Sequence, residues 1–235
     1  MKRVISFSLW GDNEVYLKGA IENIKLAKEL FPDWECWFYV STQNTPSSVI
    51  EKIREYDNAK AIEVDEVGAP LSMLHRFLPC DNDDVERFIS RDTDSRLSMR
   101  EKAAVDEWIE SDQVVHIMRD HPYHTATMMG GMWGMRKNDL LPKSMHYLTD
   151  NFRHEYTQNQ KGMDQFFLGQ YVFPYVNNDA CVHDPFYSNR PFPTERPSQD
   201  EVVYYVGECV RADNTLWSQS DRDILFKWEF NRRKQ

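Results

Sequence analysis

Three pairs of aspartates separated by one residue stand in this sequence: Asp81-Asn82-Asp83, Asp92-Thr93-Asp94 and Asp221-Arg222-Asp223. Two carboxylates at that spacing repel each other unless a cation lies between them. Mg²⁺ and Mn²⁺ are often held by one or two carboxylates together with substrate phosphates, and a cation so placed neutralises charge on a departing phosphate. The pattern alone is weak, because turns and helix N-termini also gather acids. Position separates the three pairs. Asp81 and Asp83 precede an apolar run and read as a solvated turn; Asp221 and Asp223 fit the start of a helix. Only Asp92 and Asp94 directly follow a strand-like run, residues 85–91, in a part of the chain where strands and helices alternate. In open α/β sheets ligands bind beyond the carboxyl ends of strands. Arg91 precedes the pair, Ser95 and Arg96 follow it, and Arg76 lies on the helix ahead of the strand. Each arginine is either an ion-pair partner or a planar fork of donors for phosphate and hydroxyl oxygens.

The elements that must position these residues show in the periodicity. Residues 4–10 read as a strand ended by Gly11-Asp12-Asn13, and Leu17, Ala20, Ile21, Ile24, Ala27 and Phe31 recur at helical spacing until Pro32. Strands are expected at 35–40, 59–64, 85–91 and 113–118, with helices from Pro46 and over 71–78 between them. Ser98 and Glu101 form a capping box for a further helix. This alternation predicts right-handed βαβ units and a mostly parallel sheet flanked by helices. The second half is less regular. Residues 128–135 are apolar but broken by glycines, helices are expected over 141–152, 163–171 and 221–230, and short strands over 180–183 and 202–207. Residues 184–200 carry Pro185, Pro191, Pro193 and Pro197 and read as an ordered loop. Composition does not shift along the chain, so one domain is expected.

With 235 residues, 41% hydrophobic, the chain can bury a substantial core. A formal charge of −10 argues against broad nucleic-acid binding, which needs a basic face. It leaves room for an anionic ligand recruited through a cation or a local arginine cluster. No stretch approaches the roughly 20 apolar residues of a transmembrane helix, and no signal-peptide pattern follows Met1. Cys36, Cys80, Cys181 and Cys209 lie far apart without a C-x-x-C pair, which suits reduced thiols in a cytoplasmic protein. Arg232-Arg233-Lys234 reads as a solvated basic tail.

Several segments in order resemble small GT-A glycosyltransferases of bacterial polysaccharide clusters and large algal viruses. They are Gly11-Asp12, Tyr16-x-x-Gly19-Ala20-x-x-Asn23, Arg76-Phe77-Leu78-Pro79, Arg91-Asp92-Thr93-Asp94-Ser95-Arg96, Met118-Arg119-Asp120-His121-Pro122, Gly130-Gly131-Met132-Trp133-Gly134 and Gly162-Met163-Asp164-Gln165. The resemblance implies a GT-A-like nucleotide-binding sheet, a Mn²⁺ or Mg²⁺ ion at Asp92 and Asp94, a nucleoside-diphosphate sugar as donor and a carbohydrate acceptor. It implies a nucleotide-sugar-binding half over 1–127 and an acceptor half over 128–235. It also implies His183 as a third metal ligand, and donor contacts from Phe7, Ser8, Leu9 and Trp10 with Arg76, Arg91 and Arg96.

Transfer with inversion needs a carboxylate to take the acceptor's proton, a contribution of about 10²–10⁴ in rate. Asp164, behind Gly162, is the first candidate for that catalytic role, with helix capping or contact to sugar hydroxyls as its alternatives. Asp120 is the second and Glu208 a distant third. His121, Gly131 and Trp133 are candidates for the acceptor side, since glycines let a ligand approach the backbone and an indole face suits a sugar ring; packing of Trp133 in the core is the alternative. The rival reading is a metal-dependent hydrolase or phosphoesterase using Asp92, Asp94, His121, His124 and His183. A binding module without catalysis is the third.

Overall fold

Strands buried on both faces read as nearly continuous apolar runs, and β1 (Lys2–Leu9), β2 (Trp34–Ser41) and β4 (Val85–Arg91) are almost wholly buried. The structure is a computed structural model that describes residues 1–156 and 160–232; Arg233 and Lys234 of the basic tail lie outside the described residues. With β3 (Ala59–Val64), β5 (Val115–Met118), β6 (Met132–Arg136) and β7 (Ala180–His183), these strands form one sheet in the order β3-β2-β1-β4-β6-β5-β7. β6 is antiparallel to both neighbours and the other pairings are parallel. Because β6 sits between β4 and β5, the second half of the sequence is built into the sheet of the first.

Helices α1 (Glu14–Leu30), α2 (Ser47–Arg54) and α3 (Met99–Ser111) cover one face over Ile5, Phe7, Phe38 and Ile89. The other face carries a 3-10 helix (Pro70–Asp81), α4 (Met145–Glu155) and α5 (Met163–Phe167) over Phe88 and Trp133. α5 continues through a π-helical turn, Leu168–Val172, into α6 (Phe173–Val176). α7 (Gln219–Arg232) closes the described chain. Ser98 caps α3 by accepting from the Glu101 N–H at 3.2 Å, but the Glu101 carboxylate pairs with Arg91 instead of completing a box.

Asp81, Asn82 and Asp83 are all exposed, as a solvated turn requires, and the Asp81 carboxylate also accepts the backbone N–H groups of Met145 and His146 at 2.7 and 2.6 Å, capping α4. One expectation is corrected. Residues 202–207 form turns instead of a strand. Their amides are claimed by buried carboxylates, Tyr204 N–H by Glu208 and Val206 N–H by Asp120, so no ladder is left for them to join.

The topology sets the site. From β1 the chain runs outward to β2 and β3, then returns to add β4 on the opposite side of β1. Strand order reverses between β1 and β4, and in open α/β sheets the carboxyl ends of the strands at such a point border the ligand crevice.

Candidate active site

Asp92-Thr93-Asp94 forms the turn leaving β4 at that crevice. The Asp92 side chain is 43% exposed. Asp94 is more enclosed, and burial together with the neighbouring Asp92 carboxylate pushes it up to about 6. The turn is braced by Ser95 Oγ donating to the Asp92 carbonyl at 3.1 Å and by Val210 N–H donating to the Asp94 carbonyl at 2.8 Å. Cys209 Sγ–H lies 3.6 Å from Asp94 Oδ2. Two carboxylates set this close, one of them raised by burial and by the other's charge, are a fit for Mg²⁺ or Mn²⁺, whose charge would relieve that repulsion.

From α1, Gly19 lets the helix lie directly on the turn, since a Cβ there would stand 1.8 Å from the Thr93 carbonyl oxygen. One turn further, Asn23 Nδ2 donates to the Ser95 carbonyl at 2.9 Å and Asn23 Oδ1 accepts the Leu97 N–H at 3.0 Å. The G-A-x-x-N segment is thus a clamp on the acidic turn.

On the opposite side a single buried guanidinium ties the site together. Arg76, on the 3-10 helix, bonds Asp92 Oδ1 through Nη1 and Asp164 Oδ2 through Nη2, the latter at 2.7 Å. Its backbone N–H donates to Ser8 Oγ of β1 at 3.2 Å. Gly162 adopts φ +90°, a left-handed conformation that suits glycine, and opens α5 so that Asp164 in its first turn points inward. Burial raises the Asp164 pKa while Arg76 opposes the rise. The cluster rests on bare backbone: a Cβ at Gly130 would lie 1.8 Å from Asp164 Oδ2, and one at Gly131 would lie 1.9 Å from Asp92 Oδ2.

The structure brings together Asp92, Asp94, Arg76, Asp164, Gly131 and Ser8, sets Arg96 against the backbone of the acidic turn, and places the other candidates elsewhere. Arg91 turns to the far face of the sheet, pairing with Glu101 and donating to the Trp133 carbonyl at 3.0 Å. Arg96 donates to Asn214 Oδ1 and to the carbonyls of Thr93, Ser95 and Arg211. Asp120 is wholly buried between Arg100 and Arg196, and Glu208 is held by Arg222. Trp133 is core, edge-on to Phe77 and Phe88, so no sugar ring reaches its face. Phe7 and Leu9 are core as well, Phe7 stacked on Phe38 at 4.7 Å. Trp10 is half-buried over Gly68.

His121 is locked by the Tyr123 N–H on Nδ1 and the Asp221 carbonyl on Nε2. His124 accepts the Asp120 N–H, and burial lowers its pKa to about 4. His183 does not join the aspartates. Three strand spacings of about 4.8 Å separate β4 from β7, and the His183 ring bonds His116 instead. Two neighbours of the site went unassigned in the sequence. Tyr16, on α1, has its pKa raised by burial and by the charges of Asp94, Cys209 and Asp92. Cys209 arrives on a late irregular strap that no periodicity marks.

No protein-family model matches the chain, and no curated protein does. Among solved structures the chain is similar to a glycosyltransferase involved in the glycosylation of the major capsid of PBCV-1. The TM-score is 0.52 with 15% identity, covering 79% of this chain and 82% of that one. It is also similar to the first 349 residues of S. aureus TarS, with a TM-score of 0.47 and 16% identity over 82% of this chain and 59% of that one. For the galactosyltransferase LgtC in complex with donor and acceptor sugar analogues, the TM-score is 0.44 with 15% identity over 79% and 74%. The sheet order, its reversed β6 and the likeness to the capsid glycosyltransferase give this chain the GT-A glycosyltransferase fold.

Proposed function

We propose that this chain is a glycosyltransferase that uses Mn²⁺ or Mg²⁺ to move a sugar from a nucleoside-diphosphate sugar to a hydroxyl of a carbohydrate acceptor, with inversion. The observation that carries the reading is the Asp92–Asp94 pair at the switch point of the sheet, one carboxylate open to solvent and the other pushed up to about 6. The neighbouring fold supports it. Asp92 and Asp94 hold the cation, whose chemistry is to neutralise the leaving diphosphate. Ser8 and Trp10, at the end of β1, border the nucleotide end of the crevice, within the donor half of residues 1–127. Arg76 positions Asp92 and Asp164 through one guanidinium.

Asp164 takes the acceptor proton. It shares Arg76 with the cation site, and burial favours its protonated form. Asp120 cannot serve, because both its oxygens are committed to arginines. Gly131 gives the acceptor side, in residues 128–235, its close approach to Asp92. No helix among the described residues is long and apolar enough to cross a membrane, and we place the enzyme in the cytoplasm, where nucleotide sugars are made. The hydrolase reading is weaker because the histidines it needs are engaged elsewhere.

Incubation with a panel of nucleotide sugars, Mn²⁺ and carbohydrate acceptors tests the proposal. Release of nucleoside diphosphate that requires an acceptor and is lost in Asp92→Asn is expected. Acceptor-independent hydrolysis of simple phosphate esters, with no nucleotide-sugar turnover, would overturn it.

A further inference from the structure

Away from the crevice, three side chains converge at the β5–β7 edge of the sheet. His116 of β5 stands in register with Cys181 of β7, and His183 lies two residues beyond, so all three project from one face. One ring nitrogen from each histidine and the Cys181 sulfur lie within 4.8 Å of one another, and all three residues are buried. His116 Nε2 and His183 Nδ1 are 2.8 Å apart, while His116 Nδ1 is fully buried without a partner. Trp108 of α3 stacks on His116 at 5.4 Å, and Phe192 lies 5.3 Å from the His183 ring. Glu107 of α3 places Oε2 3.6 Å from His183 Nε2.

We propose that His116, Cys181 and His183 form a binding site for a soft divalent transition metal such as Zn²⁺, separate from the Asp92–Asp94 pair, with Glu107 orienting His183. Imidazole nitrogen and thiolate sulfur are the donors Zn²⁺ takes. Tetrahedral bonds of about 2.0–2.1 Å to nitrogen and 2.3 Å to sulfur set ligand atoms roughly 3.3–3.6 Å apart. To admit the ion the two imidazoles need to part by about half an ångström, and the Cys181 sulfur, within 4.8 Å of both, must come to about 3.6 Å from each nitrogen. His116 has no bond at Nδ1 to lock its ring against that movement. With His183 ligating through Nδ1, its Nε2–H faces Glu107, the carboxylate–histidine–metal arrangement that fixes ring orientation. Of the cations whose fields reach the site, Arg91 is paired with Glu101 and Arg100 with Asp120, and Arg190 acts on Cys181. The Cys181 proton leaves to solvent as the metal–sulfur bond forms.

The test is titration of the chelator-treated protein with Co²⁺. A thiolate-to-cobalt charge-transfer band saturating at one equivalent is expected. It should vanish in Cys181→Ser and His183→Gln, persist in Asp94→Asn and Cys209→Ser, and be displaced by Zn²⁺. Zn²⁺ should raise the melting temperature of wild type and Asp94→Asn but not of Cys181→Ser. Absence of the band, its survival in Cys181→Ser, or its loss in Cys209→Ser would overturn the assignment. Because Asp94→Asn reports on the cation pair alone, the two metal readings fail separately.

Discussion

Replacing Gly131 with alanine probes the site where it is narrowest. The new Cβ would stand 1.9 Å from Asp92 Oδ2 and 2.5 Å from its Cγ. Going from 1.9 Å to the 3.4 Å of ordinary van der Waals contact moves the carboxylate by about 1.5 Å. The Asp92 side chain is 43% exposed and has solvent to move into, and Arg76 keeps Asp164 when Asp92 shifts, so the fold should lose about 1–2 kcal/mol for the loosened charged bond. Function is less tolerant, since catalytic groups must be held within roughly 0.5 Å and a 1 Å displacement can cost about 10²-fold. We expect kcat/KM for the nucleotide sugar, measured at saturating Mn²⁺ and acceptor, to fall at least about 10²-fold, roughly 2.7 kcal/mol of transition-state stabilisation.

Gly130→Ala is the matched control. Its Cβ meets Asp164 Oδ2 at 1.8 Å and Arg76 Nη2 at 2.6 Å, both buried. With no room to escape, overpacking should cost about 1–3 kcal/mol and lower the melting temperature by roughly 2–4 °C per kcal/mol, in addition to lost activity. A folded Gly131→Ala enzyme within threefold of wild type would refute the premise that the Asp92 carboxylate must stay where it lies for the donor to bind.

Asp94→Asn should abolish Mn²⁺-dependent binding of nucleoside diphosphate by calorimetry. It should leave the metal-free melting temperature unchanged or raised, because burial beside Asp92 already disfavours the Asp94 charge; unaltered affinity would remove the cation from this turn. Asp120→Asn should cost about 3–5 kcal/mol in urea unfolding by leaving Arg100 and Arg196 buried and underpaired. A stable variant with kcat reduced a thousandfold would instead make Asp120 the base. His183→Gln should leave Mn²⁺-dependent donor binding within about twofold, since its ring bonds His116; loss of that binding would return His183 to the catalytic cation. Asp164→Asn should lower kcat far more than it raises the donor KM, and equal losses would reassign Asp164 to holding the donor sugar.

The first half of the fold was legible because its signals are local. β3 and β4 lie where the apolar runs place them, and α1 is capped by Asn13 and Phe31, as its periodicity and Pro32 require. The placement of Asp92 and Asp94 followed from the same reading. What escaped depends on distant partners. β6 reverses direction, and nothing in a glycine-broken apolar run encodes direction. Residues 202–207 alternate like a strand, yet Asp120 and Glu208, the one 80-odd residues away, satisfy their amides first. Arg91 is the instructive case. Sequence proximity put it with Asp92, but a strand period of two sends adjacent side chains to opposite faces, and its guanidinium meets Glu101 under α3. Trp133 follows the same logic, being a strand residue on a covered face.

The arginines decide how such an acidic chain can hold an anion. Arg91 pairs with Glu101, Arg100 and Arg196 with Asp120, Arg119 with Asp184, and Arg222 with Glu208. Arg96 serves the carbonyls of the acidic turn and the 211–214 segment. Freeing any buried member to meet a phosphate would leave its carboxylate partner buried and alone, at about 3–5 kcal/mol. These pairs instead fasten the irregular C-terminal segment over the sheet, where Val210 N–H reaches the Asp94 carbonyl. Arg76 is at the crevice, but its charge is divided between Asp92 and Asp164. Lys161 is exposed and its field reaches Asp94, yet one solvated ammonium is a weak hold on a diphosphate. On the proposed reading, the positive charge that a donor nucleotide needs would be brought in from solution, and the half-open Asp92 beside the enclosed Asp94 is where it would be held.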